Sequence, residues 1–247
     1  MPTEIPLRTR WPMLPDSLVA LSQQLLLAVK SGQSSQALEE ALANRPVATL
    51  SQQLTTDQQR KAFWINVYNA YAVLLLKPDP GLLLKPFARH QHFAAKRLTV
   101  AETQLSLDDV EHGLLRHSRI KLSKGFLTDP FPSAFEKAHR VREFDNRIHF
   151  ALNCGGASCP PIRFYEPERI DEQLDLATES FLETEVQFDE RANILTVSRL
   201  LDWYRGDFGG KRGVVQFLKN RGLLPEGAHP SVRFATYDWA PELNAFA

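Results

Sequence analysis

Both cysteines of this 247-residue chain, a histidine, a Gly-Gly pair and a Pro-Pro pair fall within residues 144–165, FDNRIHFALNCGGASCPPIRFY. The chemistry such a stretch offers is that of a thiolate: attack on an acyl carbon, exchange with a disulfide, or ligation of a soft metal. The two sulfurs differ. Gly155 and Gly156 free the backbone ahead of Cys159, and Pro160 suits the first position of a short helical turn with Cys159 as its N-cap. A thiol placed there feels exposed amides and the positive end of the turn, which lowers its pKa and makes Cys159 the candidate nucleophile. Read as extended chain, the stretch puts Ile148, Phe150, Leu152 and Cys154 on one apolar face. Cys154 then packs as a small hydrophobe and His149 faces away from it.

Three other groups carry side chains of interest. Asn66 and Asn69 share a face of an otherwise apolar helical run, so their amides must find partners inside the protein. They either tie loops to the helix or line a site. Glu111 and His112 precede Gly113, and a glycine inside a helix costs about 1 kcal/mol relative to alanine. Its presence marks close approach of another backbone or a ligand. His90 and His92 fall in a stretch interrupted by Pro78, Pro80, Gly81 and Pro86, which reads as a basic surface loop with solvated histidines.

The elements that must position these groups are mostly helical. Residues 1–15 hold prolines and little periodicity and are expected to wrap the surface. Asp16 and Ser17 cap a helix from Leu18 to about Lys30, and a shorter one runs near Ser35 to Ala43. Thr55 and Thr56, each with glutamine three residues on, start DQQRKAFWINVYNAYAVLLLK, which Pro78 ends. It is apolar nearly all round and reads as a central buried helix. Ser106 three residues before Asp109 opens another, Leu105 to Arg116. Further helices are expected near Ser133 to Arg140, Glu168 to Thr184, Arg199 to Phe208 and Gly213 to Asn220. VQFDE and NILTVS form a hairpin, and SVRFATYDW a last strand.

Helices without regular strand alternation predict an α+β fold: a single globular domain with a central buried helix, a small antiparallel sheet and surrounding helices. Residues 1–55 read as an N-terminal helical extension packed on a domain of residues 56–247. With 29 basic and 29 acidic residues there is no net field to recruit nucleic acid or an anionic membrane, so either would need a local patch. No apolar run approaches the length of a membrane span, and a cytoplasmic protein is expected. Two cysteines are too few for a disulfide scaffold.

Five stretches together resemble the DUF547 family: FWINVYNA at 63–70, SLDDVEHGLLR at 106–116, RIHFALNCGGASCPPI at 147–162, LLDWYRGDF at 200–208 and YDWAPELN at 237–244. The resemblance runs from about Gln58 to the C-terminus. It directs attention to Asn66, Asn69, Glu111, His112, His149, Cys154, Ser158, Cys159, Tyr204 and Asp238.

Four functions compete on these residues. In a cysteine hydrolase or acyl transferase, Cys159 is the nucleophile and His149 or His112 the base. Glu111, Asn69 or Asp238 orients that base, and the amides of Gly155 to Cys159 form the oxyanion hole. Asn66, Cys154, Ser158, Gly155, Tyr204 and Asp238 then contact a substrate, a small molecule or peptide. A redox protein would join Cys154 to Cys159. A zinc site would use His149, Cys154, Cys159 and His112. A binding or scaffold module would need only a buried polar network. No cofactor or metal is expected on the leading reading. Its geometric expectation is Cys159 within reach of an imidazole, directly or through one water, with Glu111 bordering the same site.

Overall fold

The structure is a computed structural model that describes residues 14–247; most of the N-terminal stretch expected to wrap the surface lies outside the described residues. Nine α-helices lie among them: α1 (Leu18–Lys30), α2 (Gln36–Ala43), α3 (Val47–Gln53), α4 (Asp57–Leu76), α5 (Pro86–Ala94), α6 (Ala134–His139), α7 (Ile170–Glu185), α8 (Leu200–Trp203) and α9 (Gly210–Lys219). Strands β1 (Leu98–Val100) and β2 (Thr103–Leu105) make one antiparallel pair. A second sheet holds β3 (Gln187–Asp189), β4 (Ile194–Val197) and β5 (Ser231–Phe234). The fold is α+β, and no helix is long and apolar enough to cross a membrane among the described residues.

Helix α4 is the axis. The Thr56 side chain accepts from the Gln59 amide while the Gln59 side chain takes the Thr56 amide, a closed capping box. From Ala62 to Val73 every residue is buried, because the helix is covered on all sides. Helix α1 covers one side through Leu18, Leu21, Leu25 and Leu26, all in the same apolar core as α4. The first helices are thus part of the main core. A second core gathers around β4 and α9 with Phe150, Phe181, Leu195, Val197, Val214 and Leu218. Cys154 and Trp239 pack against both cores, which places the cysteine loop at their seam.

Strands β3 and β4 pair antiparallel in the register Gln187↔Thr196, as the hairpin pattern implies. Strand β5 joins β4 parallel and stops at Phe234. The chain beyond it continues as an extended segment back to the cysteine loop, bridging Gly156↔Pro241 and Ile162↔Phe246.

Three local expectations change. The stretch near His90 and His92 is not an irregular loop: Pro80 opens a 3-10 turn and Pro86 opens α5, since proline at a first helical position starts a helix as readily as it stops one. His92 is buried there, with the Arg97 guanidinium 3.3 Å from its Nδ1. Residues 146–150 form a 3-10 turn, so strand parity does not sort His149 from Cys154. The Ser106 start holds, with Ser106 and Asp109 exchanging side-chain to amide hydrogen bonds at 2.8 and 3.0 Å. Asp109–Leu115 then winds as a π-helix, with the Arg116 amide bonding Glu111 carbonyl five residues back.

Candidate functional site

The two asparagines of α4 are clamps. Asn66 donates through Nδ2 to the Tyr165 carbonyl at 2.9 Å and accepts the Tyr165 amide on Oδ1 at 3.0 Å. Asn69 does the same for Ala151 carbonyl and Asn153 amide, both at 2.9 Å. Both side chains are fully buried and spent on backbone, which corrects the expectation that Asn69 orients a catalytic group and Asn66 meets a substrate. They pin the two ends of the cysteine loop to the central helix.

One wall of the site is a buried charge cluster. Arg116 and Asp207 have wholly buried side chains. Arg116 Nε donates to Asp207 Oδ2 at 2.8 Å, and Nη2 lies at the same distance. Gly125, with φ +89°, makes room: a Cβ there would stand 2.1 Å from Asp207 Oδ1. His149 Nε2 meets the same Oδ2 at 2.8 Å, and its ring stacks on Tyr204 with centroids 4.0 Å apart. A carboxylate only accepts, so His149 carries its proton on Nε2 and leaves the Nδ1 lone pair free of protein partners among the described residues. Burial lowers the His149 pKa and the Asp207 hydrogen bond opposes it; the net direction is down, so the ring is neutral at neutral pH.

His112 has the opposite polarity. Its Nδ1 lies 2.8 Å from Arg116 Nη1 and 3.5 Å from Glu111 Oε1, and the shorter contact decides. Arginine only donates, so Nδ1 accepts and Nε2 carries the proton. Nε2 is buried without a hydrogen-bond partner among the described residues, 3.6 Å from Asp108 Oδ1. Burial, helped by Arg116 and opposed by Glu111, takes the His112 pKa down to about 4. His112 is therefore a neutral donor rather than a base. Glu111 accepts from Tyr204 Oη at 2.6 Å and Tyr68 Oη at 3.1 Å. Burial raises its pKa, but His112, Arg116 and the Tyr204 hydroxyl outweigh that and hold it at about 2. Gly113 admits neither a backbone nor a ligand: a Cβ there would lie 3.1 Å from Cδ of the Glu136 side chain.

The facing wall is the thiol loop. No helix follows Cys159, so it is not an N-cap; its amide closes a turn on Gly156 carbonyl at 2.9 Å. Its sulfur accepts the Cys154 amide at 3.1 Å and lies 3.0 Å from Tyr237 Oη. Burial raises the Cys159 pKa, yet the Cys154 thiol, the Tyr237 hydroxyl and the Gly156 and Cys154 amides outweigh it and the net direction is down. Cys154 goes the other way, raised by its hydrogen bond to Cys159 and by burial. The expected oxyanion hole is largely consumed. Gly155 amide goes to Asn153 Oδ1 at 2.7 Å, while the Ala157 and Ser158 amides go to the Ala240 and Asp238 carbonyls. Ser158 Oγ accepts the Asp238 amide at 2.9 Å, and exposed Asp238 spends Oδ1 on the Ala240 amide. Gly155, Ser158 and Asp238 thus hold the loop and do not line the cleft.

Between the walls lies a cleft of about 420 Å³. It brings together Cys159, Cys154, His149, His112, Glu111 and Tyr204 of the expected residues, with Trp203, Tyr237 and Trp239 forming an aromatic side. No imidazole hydrogen-bonds Cys159 directly among the described residues. Nor do three His, Cys, Asp or Glu side chains there gather closely enough to hold a metal ion. Sequence reasoning missed Asp207, Arg116, Tyr68, Arg89 and Tyr237. Asp207, Arg116, Tyr68 and Tyr237 all stood inside motifs already noted, but their burial and partners are set by tertiary packing.

The family model for proteins of unknown function, DUF547, matches residues 51–182. The match takes in both cysteines, Glu111, His112, Arg116 and His149, and ends before Tyr204, Asp207 and Tyr237. No curated protein and no solved structure matches the chain.

Proposed function

The chain belongs to the DUF547 family, and from the cleft alone we propose that it is a cysteine-dependent hydrolase or acyl transferase acting on a small acyl compound or peptide. One observation carries the reading: His149, held on Nε2 by Asp207, keeps Nδ1 for a proton in the same cleft as a thiol whose pKa is lowered. Asp207 takes the orienting part considered for Glu111, Asn69 and Asp238.

Cys159 gives its proton to His149 Nδ1 through one solvent molecule, and the thiolate sulfur bonds to the acyl carbon. The carbonyl π pair moves onto oxygen as the tetrahedral intermediate forms. The carbonyl re-forms as the bond to the leaving group breaks, and the leaving group takes the proton from His149. Water or another acceptor then attacks the thioester with the same histidine as base, releasing the acyl product and the thiol. Two free thiols stay competent only where they remain reduced, which fits the cytoplasm.

A binding module is favoured by one observation, that Cys159 spends its contacts on Tyr237 and Cys154 rather than on an imidazole. Iodoacetamide labelling of the native protein across pH, with each cysteine located by mass spectrometry, separates the two. The hydrolase reading expects Cys159 to react with an apparent pKa below the free-thiol value of about 8.5, Cys154 to lag, and His149→Gln to slow Cys159. Reaction of neither thiol before unfolding overturns it in favour of binding.

A further inference from the structure

The cations around the cleft are not equivalent. Lys121 is paired with Asp108 at 2.7 Å and Lys124 with Asp202 at 3.1 Å. Arg116 is committed to Asp207. Arg89, from α5, lines the cleft with no carboxylate partner among the described residues. Its guanidinium is held in place nevertheless: Cζ lies 3.6 Å from the ring centroid of Trp239, and Nη1 donates to Leu83 carbonyl. Stacking occupies the face of the guanidinium and one carbonyl occupies one nitrogen. Nε and Nη2, on its edge, make no hydrogen bond among the described residues. The charge lies near enough to the Cys154 thiol and the Tyr237 hydroxyl to be felt by both.

A cation fixed by stacking, with its donors on an open edge in the same cleft as Cys159, is built to receive a planar anion. The Glu111 carboxylate on the other wall already has both oxygens taken by Tyr204 and Tyr68, so it does not reach across to satisfy Arg89. One unpaired positive charge balances one carboxylate better than a doubly charged phosphate. We infer that the substrate carries a carboxylate, and that Arg89 binds it while Cys159 attacks the acyl carbon. This rests on Cys159 being the nucleophile. Arg89 is then a specificity-determining residue, reading the charge of the substrate.

The test uses two alkylating agents with the same leaving group and opposite charge state, iodoacetate and iodoacetamide. Their rates at Cys159 are compared with their rates on glutathione. The proposal expects the iodoacetate to iodoacetamide ratio at Cys159 to exceed the glutathione ratio by about tenfold. Acetate, but not equimolar inorganic phosphate, should protect against iodoacetate. Arg89→Gln should bring the iodoacetate to iodoacetamide ratio down to the glutathione value, and Arg89→Lys should keep part of the excess. An unchanged ratio in Arg89→Gln, an equal fall in both rates, or protection by phosphate alone overturns the carboxylate assignment. Failure of iodoacetamide itself to reach Cys159 in the native protein overturns the nucleophile reading instead, so the two failures are distinguishable.

Discussion

The two walls of the cleft are built from different physics. On one side Arg116, Asp207 and His149 are packed into a cluster whose cohesion is electrostatic and whose members are all buried. On the other, the cysteine loop is held by backbone bridges to the C-terminal segment, the asparagine clamps and weak contacts to sulfur. In the first wall each charge exists because of its partner, so removing one strands the other. In the second, sulfur can lose a partner at little cost. The frame and the reactive group are thereby separated, and a substitution that alters reactivity need not unfold the protein.

The comparison breaks most visibly at Arg116. Arg116→Met leaves buried Asp207 with only the longer, 3.8 Å ion pair to Arg119 and should cost about 3 kcal/mol in denaturant unfolding, whereas Cys159→Ser should stay within about 1 kcal/mol. Equal losses would mean that the walls are not distinct. Next comes pH. The folded pKa of His112, about 4, is below the unfolded value of about 6.5. Its contribution is therefore present above pH 6.5 and lost as pH falls from 6.5 to 4, by roughly 3 kcal/mol. Unfolding midpoints taken from pH 7 to 4.5 should fall, and should fall less steeply in His112→Gln. Asn69→Ala, which leaves a buried carbonyl and amide unpaired, is expected to cost about 2 kcal/mol; a cost near zero would show that the clamp is dispensable. The smallest effect on stability is at Tyr237→Phe, under about 1 kcal/mol. It should nonetheless move the alkylation profile of Cys159 to higher pH, and a profile that stays put would remove Tyr237 from the account of that thiol.

Much of the frame was legible because its signals are local. The Thr56 and Gln59 capping box, the Ser106 and Asp109 start and the β3–β4 hairpin each depend on residues a few positions apart. The cysteine loop was legible as a centre but misread as a strand, because parity describes only extended chain and residues 146–150 coil into a 3-10 turn. The choice of base could not be made from sequence. It depends on which ring nitrogen is engaged, and the partners that engage them are Asp207, 58 residues beyond His149, and Arg116, four residues beyond His112 at the end of a π-helix.

By itself the sequence determined the longer helices α1, α4 and α7, the burial of α4 and the concentration of reactive groups in one loop, since periodicity, capping and turn chemistry act within a few residues. Tertiary structure alone decided which groups face one another. Packing between the two cores brought Asp207 to His149, Tyr237 to Cys159 and the asparagine clamps to the loop. The proton positions and pKa values follow from those meetings, because burial and partner charge are properties of where a side chain ends up.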